Sequence, residues 1–275
     1  MLTAVDITNS RGDTLHLPLM DTSGGYVVRE VEGLDPVDAA LTSSSLAQVD
    51  GAQPQSARRA TRNVTMKLGF KPDYVASTVQ SLRSALYPYL MPKLNVMLGF
   101  YLDDALYATT DGQVETFQNT MFTDDPEVDI SILCYDPDLY APSAITASDF
   151  SQSDSLTTKL IQYNGTSEAG FVFTLSIDRA LSDFTLVNTT PDNVRKALEV
   201  SGASFVSGDV LTINTIPGQK AVTLTRAGLT TSILYFKTAV SEWPILQNGN
   251  NQLGAFCSGA GIPWSLSYTP KYGAI

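Results

Sequence analysis

Residues 134–142, which read CYDPDLYAP, bring together the residue types that could do chemistry. They hold one thiol, two carboxylates and two phenols within nine positions. A carboxylate pair can supply the acid and the base of glycoside hydrolysis, and a thiol becomes a nucleophile when a neighbouring base activates it. Both chemistries depend on further residues that the rest of the chain would have to provide.

A nucleophilic centre would have to use His16, because it is the sole histidine of the chain. It stands in Leu15-His16-Leu17-Pro18, which is typical of an ordinary strand or loop. The stretch DTSGG at 21–25 is similar to the Asp-Thr-Gly of aspartic proteases, but a serine interrupts it and no second copy supplies the partner carboxylate. A turn is the better interpretation of this stretch.

Two acidic groups could hold metal ions. The pair Asp103-Asp104 looks like the metal-binding carboxylates of polymerases, and residues 124–129 offer oxygen ligands without the glycine and terminal glutamate of an EF-hand. Solvated turns are favoured for both. An enzyme acting on carbohydrate through a pair drawn from Asp103, Asp104, Asp136 and Asp138 is the least favoured hypothesis, because no pair stands out by spacing. We therefore predict no catalytic, metal-binding or cofactor-binding residue.

Composition bounds the classes of protein that remain. A chain of 275 residues predicts two domains, and 43% hydrophobic with 16% charged residues predicts globular cores throughout. The 17 Lys and Arg against 28 Asp and Glu give a formal charge of −11, which argues against nucleic-acid binding. Cys134 and Cys257 are predicted to be reduced thiols that act as small apolar residues. No apolar run or basic N-terminal segment predicts membrane insertion or classical secretion.

The first half is predicted to be a mainly β domain with one helix. Apolar residues alternate with period two in the strands, whereas Val75, Val79, Leu82 and Leu86 recur at helical spacing after a possible cap at Asp73. Residues 33–55 have no sustained period and predict a long loop with at most short structure. The predicted strands are 26–31, following a hairpin-like start, and then 61–68, about 94–101, 105–109, 113–119 and 127–134, with the helix at 73–87.

The second half is predicted to be an antiparallel β-sandwich, because short strands follow one another with Gly-containing turns between them. Residues 143–156 are rich in Ser, Thr, Ala and Asp and predict a linker. A short helix at 191–199 is the alternative to one of the strands. The predicted strands are 171–177, 184–188, about 196–200, 210–215, 221–225, 233–237 and 264–268.

Three segments carry a resemblance to a known family. They read VSGDVLTINT at 206–215, PGQKAVTL at 217–224 and SEWPILQNGNN at 241–251. In this order they resemble the C-terminal domain of siphophage distal tail proteins, the Dit family. The CYDPDLY segment looks like the domain junction of the same family, and the VEGLDP segment at 31–36 together with Arg58, Arg59 and Arg62 also fits it.

The resemblance implies a fold, a place and partners. Residues 1–142 would form the N-terminal ring-forming domain, a β-sandwich-like domain with one packed α-helix, and residues 143–275 a galectin-like antiparallel β-sandwich. Six copies would form a ring at the tip of a long non-contractile phage tail, after synthesis in the cytoplasm of the bacterial host. The ring would join the tail tube protein to the tail-tip hub protein, and the tape measure and fibre proteins are further candidate partners. Genomic DNA would pass through the lumen without specific binding.

Specific residues follow from this resemblance. Arg58, Arg59 and Arg62, with the loop at 33–55, are candidate ring contacts against the alternative of solvated surface. The candidate domain junction comprises Tyr135, Asp136, Pro137, Tyr140 and Pro142. The alternative function is a carbohydrate-binding module for receptor recognition, which could use Trp243 or Trp264 but has no histidine in the second half.

Overall fold

The computed structural model describes residues 1–45, 50–120, 123–153 and 157–275. Contacts divide the chain into two compact units: unit 1 is Met1–Pro142 together with Tyr272–Ile275, and unit 2 is Ser143–Lys271. The predicted second domain ran to residue 275, whereas the last four residues pack with unit 1. The backbone amide of Ile275 donates to the Leu34 carbonyl at 3.2 Å, and Tyr272 stacks on Tyr107.

Unit 1 is built around one large antiparallel sheet. Its strands are β1 Leu2–Asn9, β2 Thr14–Pro18, β3 Tyr26–Glu32, β4 Ala39–Ser44, β5 Gln53–Arg59, β6 Arg62–Phe70, β7 Asn95–Leu102, β8 Ala105–Thr120, β9 Glu127–Cys134 and β10 Leu139–Tyr140, and its helix α1 is Val79–Leu90. The main path of the sheet runs β2-β1-β7-β8-β9-β6-β3. The edge strands β2 and β3 also contact each other, so the sheet curves around its core.

Alternation in the sequence fixes which face of the sheet is buried. Val64, Met66 and Leu68 of β6 are buried, and Val64 and Met66 pair with Ile132 and Ile130 of β9. Because side chains of a strand point alternately to opposite faces, one apolar face per strand is enough to build this core. The helix contributes Leu86 and Leu90 to the same core, which confirms the predicted mainly β domain with one packed helix.

The helix begins later than predicted. Its N-cap is Thr78, whose hydroxyl accepts a hydrogen bond from the Ser81 amide at 3.1 Å, and the Thr78 amide donates in turn to the Ser81 hydroxyl at 2.9 Å. This reciprocal pair satisfies two amides that a helix start leaves unpaired. Asp73, the predicted cap, orders the preceding turn instead. Pro88 lies inside the last turn rather than after it.

The two strands predicted at 105–109 and 113–119 form one continuous strand, β8, which runs through Asp111-Gly112. A Cβ atom on Gly112 would lie 2.5 Å from a methyl group of Ile132 and 3.0 Å from the Cys134 sulfur. The glycine is therefore required by the close approach of β9, not by a turn.

The prediction of a long loop at residues 33–55 was wrong in part, because strand β4 and the first residues of β5 lie within it and form a β-hairpin. Strands β4 and β5 pair only with each other, from Ala39 opposite Arg59 to Ser44 opposite Gln53. Apart from half-buried Ser44, every residue of the two strands is exposed. We call residues 39–59 the arm; residues 46–49 of it lie outside the described residues.

Unit 2 is a sandwich of two antiparallel sheets, as predicted. Its strands are β11 Ile145–Phe150, β12 Lys159–Tyr163, β13 Val172–Ser176, β14 Phe184–Thr189, β15 Arg195–Val200, β16 Val210–Asn214, β17 Ala221–Arg226, β18 Leu229–Ser232, β19 Gly249–Cys257 and β20 Pro263–Tyr268. One sheet has the order β11-β20-β13-β16-β17-β18 and the other β12-β19-β14-β15. A single apolar core lies between them. Tyr272 belongs to a last strand, β21 Lys271–Tyr272, which pairs with β10.

Two local predictions for unit 2 were wrong. The linker predicted at 143–156 contains β11, which pairs along its whole length with β20; residues 154–156 lie outside the described residues. The strand predicted at 233–237 is a short 3-10 helix, Leu234–Phe236. The favoured strand at about 196–200 is confirmed as β15, and the alternative helix at 191–199 does not form, because pairing with β14 outweighs a weak helical pattern. Strands β12, β18 and β19 were not predicted.

Candidate functional site

The CYDPDLYAP segment leaves the sheet at the end of β9 and turns back as β10. Cys134 is fully buried, and burial raises the pKa of its thiol. A thiol with a raised pKa is a poor nucleophile at neutral pH. Cys134 is therefore a core residue, and the polar side chains that follow it determine the structure of the turn.

Asp136 organises the turn. One oxygen of its carboxylate accepts the Asp138 amide at 3.0 Å, and the other accepts the hydroxyl of Tyr140. Burial and this bond to Asp136 raise the pKa of Tyr140, so the phenol stays protonated and keeps donating. The turn is held by its own side chains, and Pro137 and Pro142 stand inside it and at the end of unit 1.

Arg59 ties the arm to this turn. Its guanidinium donates two bonds to the carboxylate of Asp138, at 2.6 and 3.0 Å. The side chain of Asp138 is 5% exposed and that of Arg59 is 44% exposed. A two-pronged bond of this kind fixes direction as well as distance, so the base of the arm has a defined position on unit 1.

Arg62 lies at the centre of the same region and is fully buried. Its guanidinium donates to four backbone carbonyls, those of Pro137 (2.9 Å), Gly33 (2.5 Å), Asp35 (2.9 Å) and Gly273 (2.6 Å). Loss of water around the charge lowers the pKa of Arg62 from its usual value. The side chain thus joins three distant segments of unit 1, including the C-terminal one.

The positions of the three arginines reduce the set of candidate ring contacts from three residues to two. Arg58 is exposed on β5 and Arg59 is partly exposed, so both can face a neighbouring molecule. Arg62 has no exposed surface and acts inside unit 1. The sequence contains a signal for the burial of Arg62, because in the alternating pattern of β6 this residue lies on the same face as Val64 and Met66. Asp138, which was not among the predicted junction residues, is the partner that organises Arg59.

A groove lies beside the turn on unit 1. It has a volume of about 620 Å³ and an open side. Its floor includes Thr8, Met97 and Asp111, which are paired across β1, β7 and β8, and Tyr135 and Asp136 form a wall. The hydroxyl of Tyr135 donates to Gln113 at 3.1 Å, which holds the ring in place. We call this the Tyr135 groove.

The other residues considered for chemistry lie elsewhere on unit 1. His16 bonds Asp6 at 2.6 Å, and Asp6 also accepts the hydroxyl of Tyr101 at 2.9 Å. Asp103 and Asp104 form the β7–β8 turn, with φ of +48° and +63°. Within the described residues, no group of three or more His, Cys, Asp or Glu side chains is placed to hold a metal ion. The same residues contain no helix long and apolar enough to cross a membrane.

The two tryptophans of unit 2 differ in accessibility. Trp264 is 4% exposed and packs against Phe173 in the core. Trp243 is half-buried, and the Lys220 ammonium lies 5.7 Å from the centre of its ring. A sugar stacks on an aromatic ring only where one face of the ring is open. Because Trp264 is buried and Trp243 is half-buried, neither ring is favoured as a sugar-binding surface.

Comparison with known proteins finds similarity to phage tail components. Residues 164–272 match the family model described as siphovirus-type tail component, C-terminal domain. The structure is similar to the crystal structure of the Dit protein (gp 19.1) of phage SPP1, with a TM-score of 0.67 and 17% identity over 97% of this chain and 98% of that one. That protein is described as a paradigm of the hub adsorption apparatus in phages that infect Gram-positive bacteria. A chain of the phage p2 baseplate gives a TM-score of 0.48 with 12% identity over the full length of both chains. No curated protein matches the sequence.

Proposed function

We propose that the protein is a structural component of a phage tail tip, because residues 164–272 match the model of the siphovirus-type tail component C-terminal domain. The observation that carries the proposal is the similarity of fold to SPP1 Dit across nearly the whole of both chains. The similarity includes unit 1, which the family model does not cover. In this role the protein works by contact with other tail proteins and not by turnover of a substrate.

The specific arrangement that we propose is a six-membered ring formed by unit 1. It would join the tail tube above to the hub and fibre proteins below. Closed rings of identical subunits arise from head-to-tail contacts, in which one patch of a subunit meets a different patch of its neighbour. Unit 1 therefore needs at least two separate surfaces suited to contact.

The arm supports this arrangement. A two-stranded hairpin that packs on nothing is only marginally stable in water. The side chains of β4 and β5 are exposed apart from half-buried Ser44, with Leu41 at 76%, yet the base of the arm is fixed by Arg59 and Asp138. A hairpin that is anchored at its base and exposed along its strands is suited to lie on a neighbouring subunit, where Arg58 would join the contact.

The distribution of charge also supports it. Unit 1 holds nine Lys and Arg against nineteen Asp and Glu, a formal charge of −10, whereas unit 2 holds eight against nine, a formal charge of −1. DNA that moves through a ring is repelled by acidic walls and does not adhere to them. The excess acid is on the unit that would enclose the channel.

Cryo-electron microscopy of intact phage particles tests the proposal directly. We expect six copies around the tail axis, with unit 1 lining the channel and unit 2 outside it. A variant that lacks residues 40–57 should retain a folded unit 1 but fail to form rings. The control for general destabilisation is a change in unit 2, in which residues 227–232, the edge strand β18 with its turn, are replaced by two glycines. Particles in which the protein is present as single copies away from the axis would contradict the proposal.

A further inference from the structure

One loop of unit 1 presents two large apolar side chains to water. Tyr74 is 76% exposed and Val75 is 95% exposed, at the tip of the connection between β6 and α1. We call residues 71–77 the Tyr74 loop. Adjacent exposed side chains of this size are typical of contact surfaces, and tyrosine is among the residues that contribute most to binding.

The Tyr74 loop is held in shape by its own hydrogen bonds. The Asp73 carboxylate accepts the amides of Val75 (3.1 Å), Ala76 (2.9 Å) and Ser77 (2.7 Å), and these bonds lower the pKa of Asp73. Tyr74 has a φ of +58°, a conformation that costs free energy for a residue with a side chain. A loop that is ordered before binding loses less entropy when it binds.

The Tyr135 groove has the complementary properties. Met97 on its floor is 42% exposed and Tyr135 on its wall is 66% exposed, which gives apolar surface on two sides. Asp111 is exposed at the same place and can accept a phenol hydroxyl or face a cation. The Tyr74 loop offers both a phenol hydroxyl and a cation. The hydroxyl is that of Tyr74, and the cation is Lys71, which is exposed and lies beside the apolar tip of the loop. A volume of about 620 Å³ accommodates a tyrosine and a valine side chain.

The loop and the groove lie at opposite ends of the sheet. Arg62 pairs with Cys134 near the groove, whereas Gly69 pairs with Glu127 near the loop. Seven residues of strand separate these pairs, roughly 23 Å at about 3.3 Å per residue. One subunit therefore cannot place its own loop in its own groove, but two different patches on one rigid unit are what a head-to-tail contact requires.

We propose that the Tyr74 loop of one copy of this chain seats in the Tyr135 groove of the next copy. Val75 contacts Met97, the Tyr74 hydroxyl donates to Asp111, and Lys71 faces the acidic side of the groove. The inference rests on the proposed ring and adds a second contact to that of the arm. Repeated around the ring, the same contact closes without leaving an unpaired loop or groove.

A cross-linking experiment on the full chain tests the contact. In a Cys257→Ser background, the Val75→Cys/Met97→Cys double variant is assembled, alone or in tails, and oxidised mildly. We expect a ladder of cross-linked species that ends at six. Mixing the two single variants should give dimers and no longer species, because each chain then carries one reactive thiol. A ring that forms without this cross-link overturns the inference and leaves the proposed function standing; absence of any ring overturns both.

A substitution provides an independent measure. Val75→Asp should raise the concentration needed for half-maximal assembly by about tenfold or more, because it removes a buried apolar contact and adds charge next to Asp111. Met20→Asp, at another exposed residue of unit 1 (84%), is the matched control and should change assembly little. Circular dichroism verifies that both variants are folded. Equal effects of the two substitutions would contradict the contact.

Discussion

Unit 1 and unit 2 are both antiparallel β structures of similar length, but they are stabilised in different ways. The core of unit 2 is rich in aromatic residues, and Phe173 stacks on Phe184 and packs against Trp264 with ring centres 5.5 Å apart in both pairs. The core of unit 1 is mostly aliphatic, and a buried arginine joins its segments. Unit 1 also has the exposed strands of the arm, the Tyr74 loop and the Tyr135 groove on its surface.

If the protein assembles as we propose, the difference separates the unit that is stabilised by its own packing from the unit whose exposed surface is available to partners. Aromatic packing is local and does not depend on neighbours. The arm and the Tyr74 loop of unit 1 gain apolar contacts only when another molecule covers them. We therefore expect unit 1 to be the more stabilised of the two by assembly, and unit 2 to be nearly independent of it.

The largest effect is expected from Phe173→Ala in unit 2. The substitution removes an aromatic ring from between two others, and such changes lower the free energy of unfolding by about 3–5 kcal/mol. Hydrogen exchange measured strand by strand should show the loss in β13, β16 and β20 and none in unit 1. Phe173→Leu, which fills most of the space, is the control and should cost less than half as much. A loss that spreads equally over both units would break the comparison.

Arg62→Ala should destabilise unit 1 by about 3 kcal/mol. It leaves four carbonyls without their buried donor, and each unsatisfied buried group is costly. Arg62→Lys keeps the charge but cannot reach four acceptors in a plane, so it should recover only part of the loss. Calorimetry combined with hydrogen exchange should show early opening of residues 272–275 and of the arm base. Unchanged protection at the C-terminal residues would contradict the role given to Arg62.

The parts of the fold that could be predicted from sequence are those in which local pattern and burial agree. Strands β6, β9 and β13 alternate because one face is in the core, and the middle of α1 repeats at helical spacing for the same reason. Strand β11 has almost no buried residue, so no alternation marks it, and it is a strand because β20 pairs with it. Strands β4 and β5 of the arm were not predicted for the same reason, because neither strand has a buried residue.

The candidate site could be predicted only in part. The turn at residues 134–142 was predicted as structural and contains the expected aromatic and acidic residues. The bond between Arg59 and Asp138 joins positions 79 residues apart, and no local pattern specifies such a pair. The Tyr74 loop was included in the predicted helix, because Val75 fits the helical spacing although it is 95% exposed. Periodicity predicts which residues share one face of a helix, but the exposure of each residue is known only from the folded structure.

Asp209→Asn should have a smaller effect, confined to unit 2 and dependent on pH. The Asp209 carboxylate is buried and accepts two bonds from Arg226, at 2.8 and 2.6 Å, which lower its pKa below 3.8. The stabilisation is therefore complete above about pH 4–5 and is lost as pH falls through the lowered pKa. We expect a loss of roughly 1–2 kcal/mol at pH 7, since Arg226 is half-exposed, and convergence with the wild-type protein in strong acid. Exposed Asp192→Asn is the control; a difference that grows on acidification would have the wrong sign.

The smallest effect is expected from Thr78→Ala at the start of α1 in unit 1. The substitution removes the hydroxyl of the capping pair with Ser81, which lowers helix stability by about 1 kcal/mol. Thr78→Ser keeps the hydroxyl and should be nearly neutral. Because the Tyr74 loop ends where the helix begins, hydrogen exchange should speed up in the first turn of α1 and in the loop, and assembly should weaken slightly more than the stability of unit 1 alone explains. If exchange in the loop is unchanged, the loop is ordered by Asp73 alone, and the stability of unit 1 and its contact surface are separable.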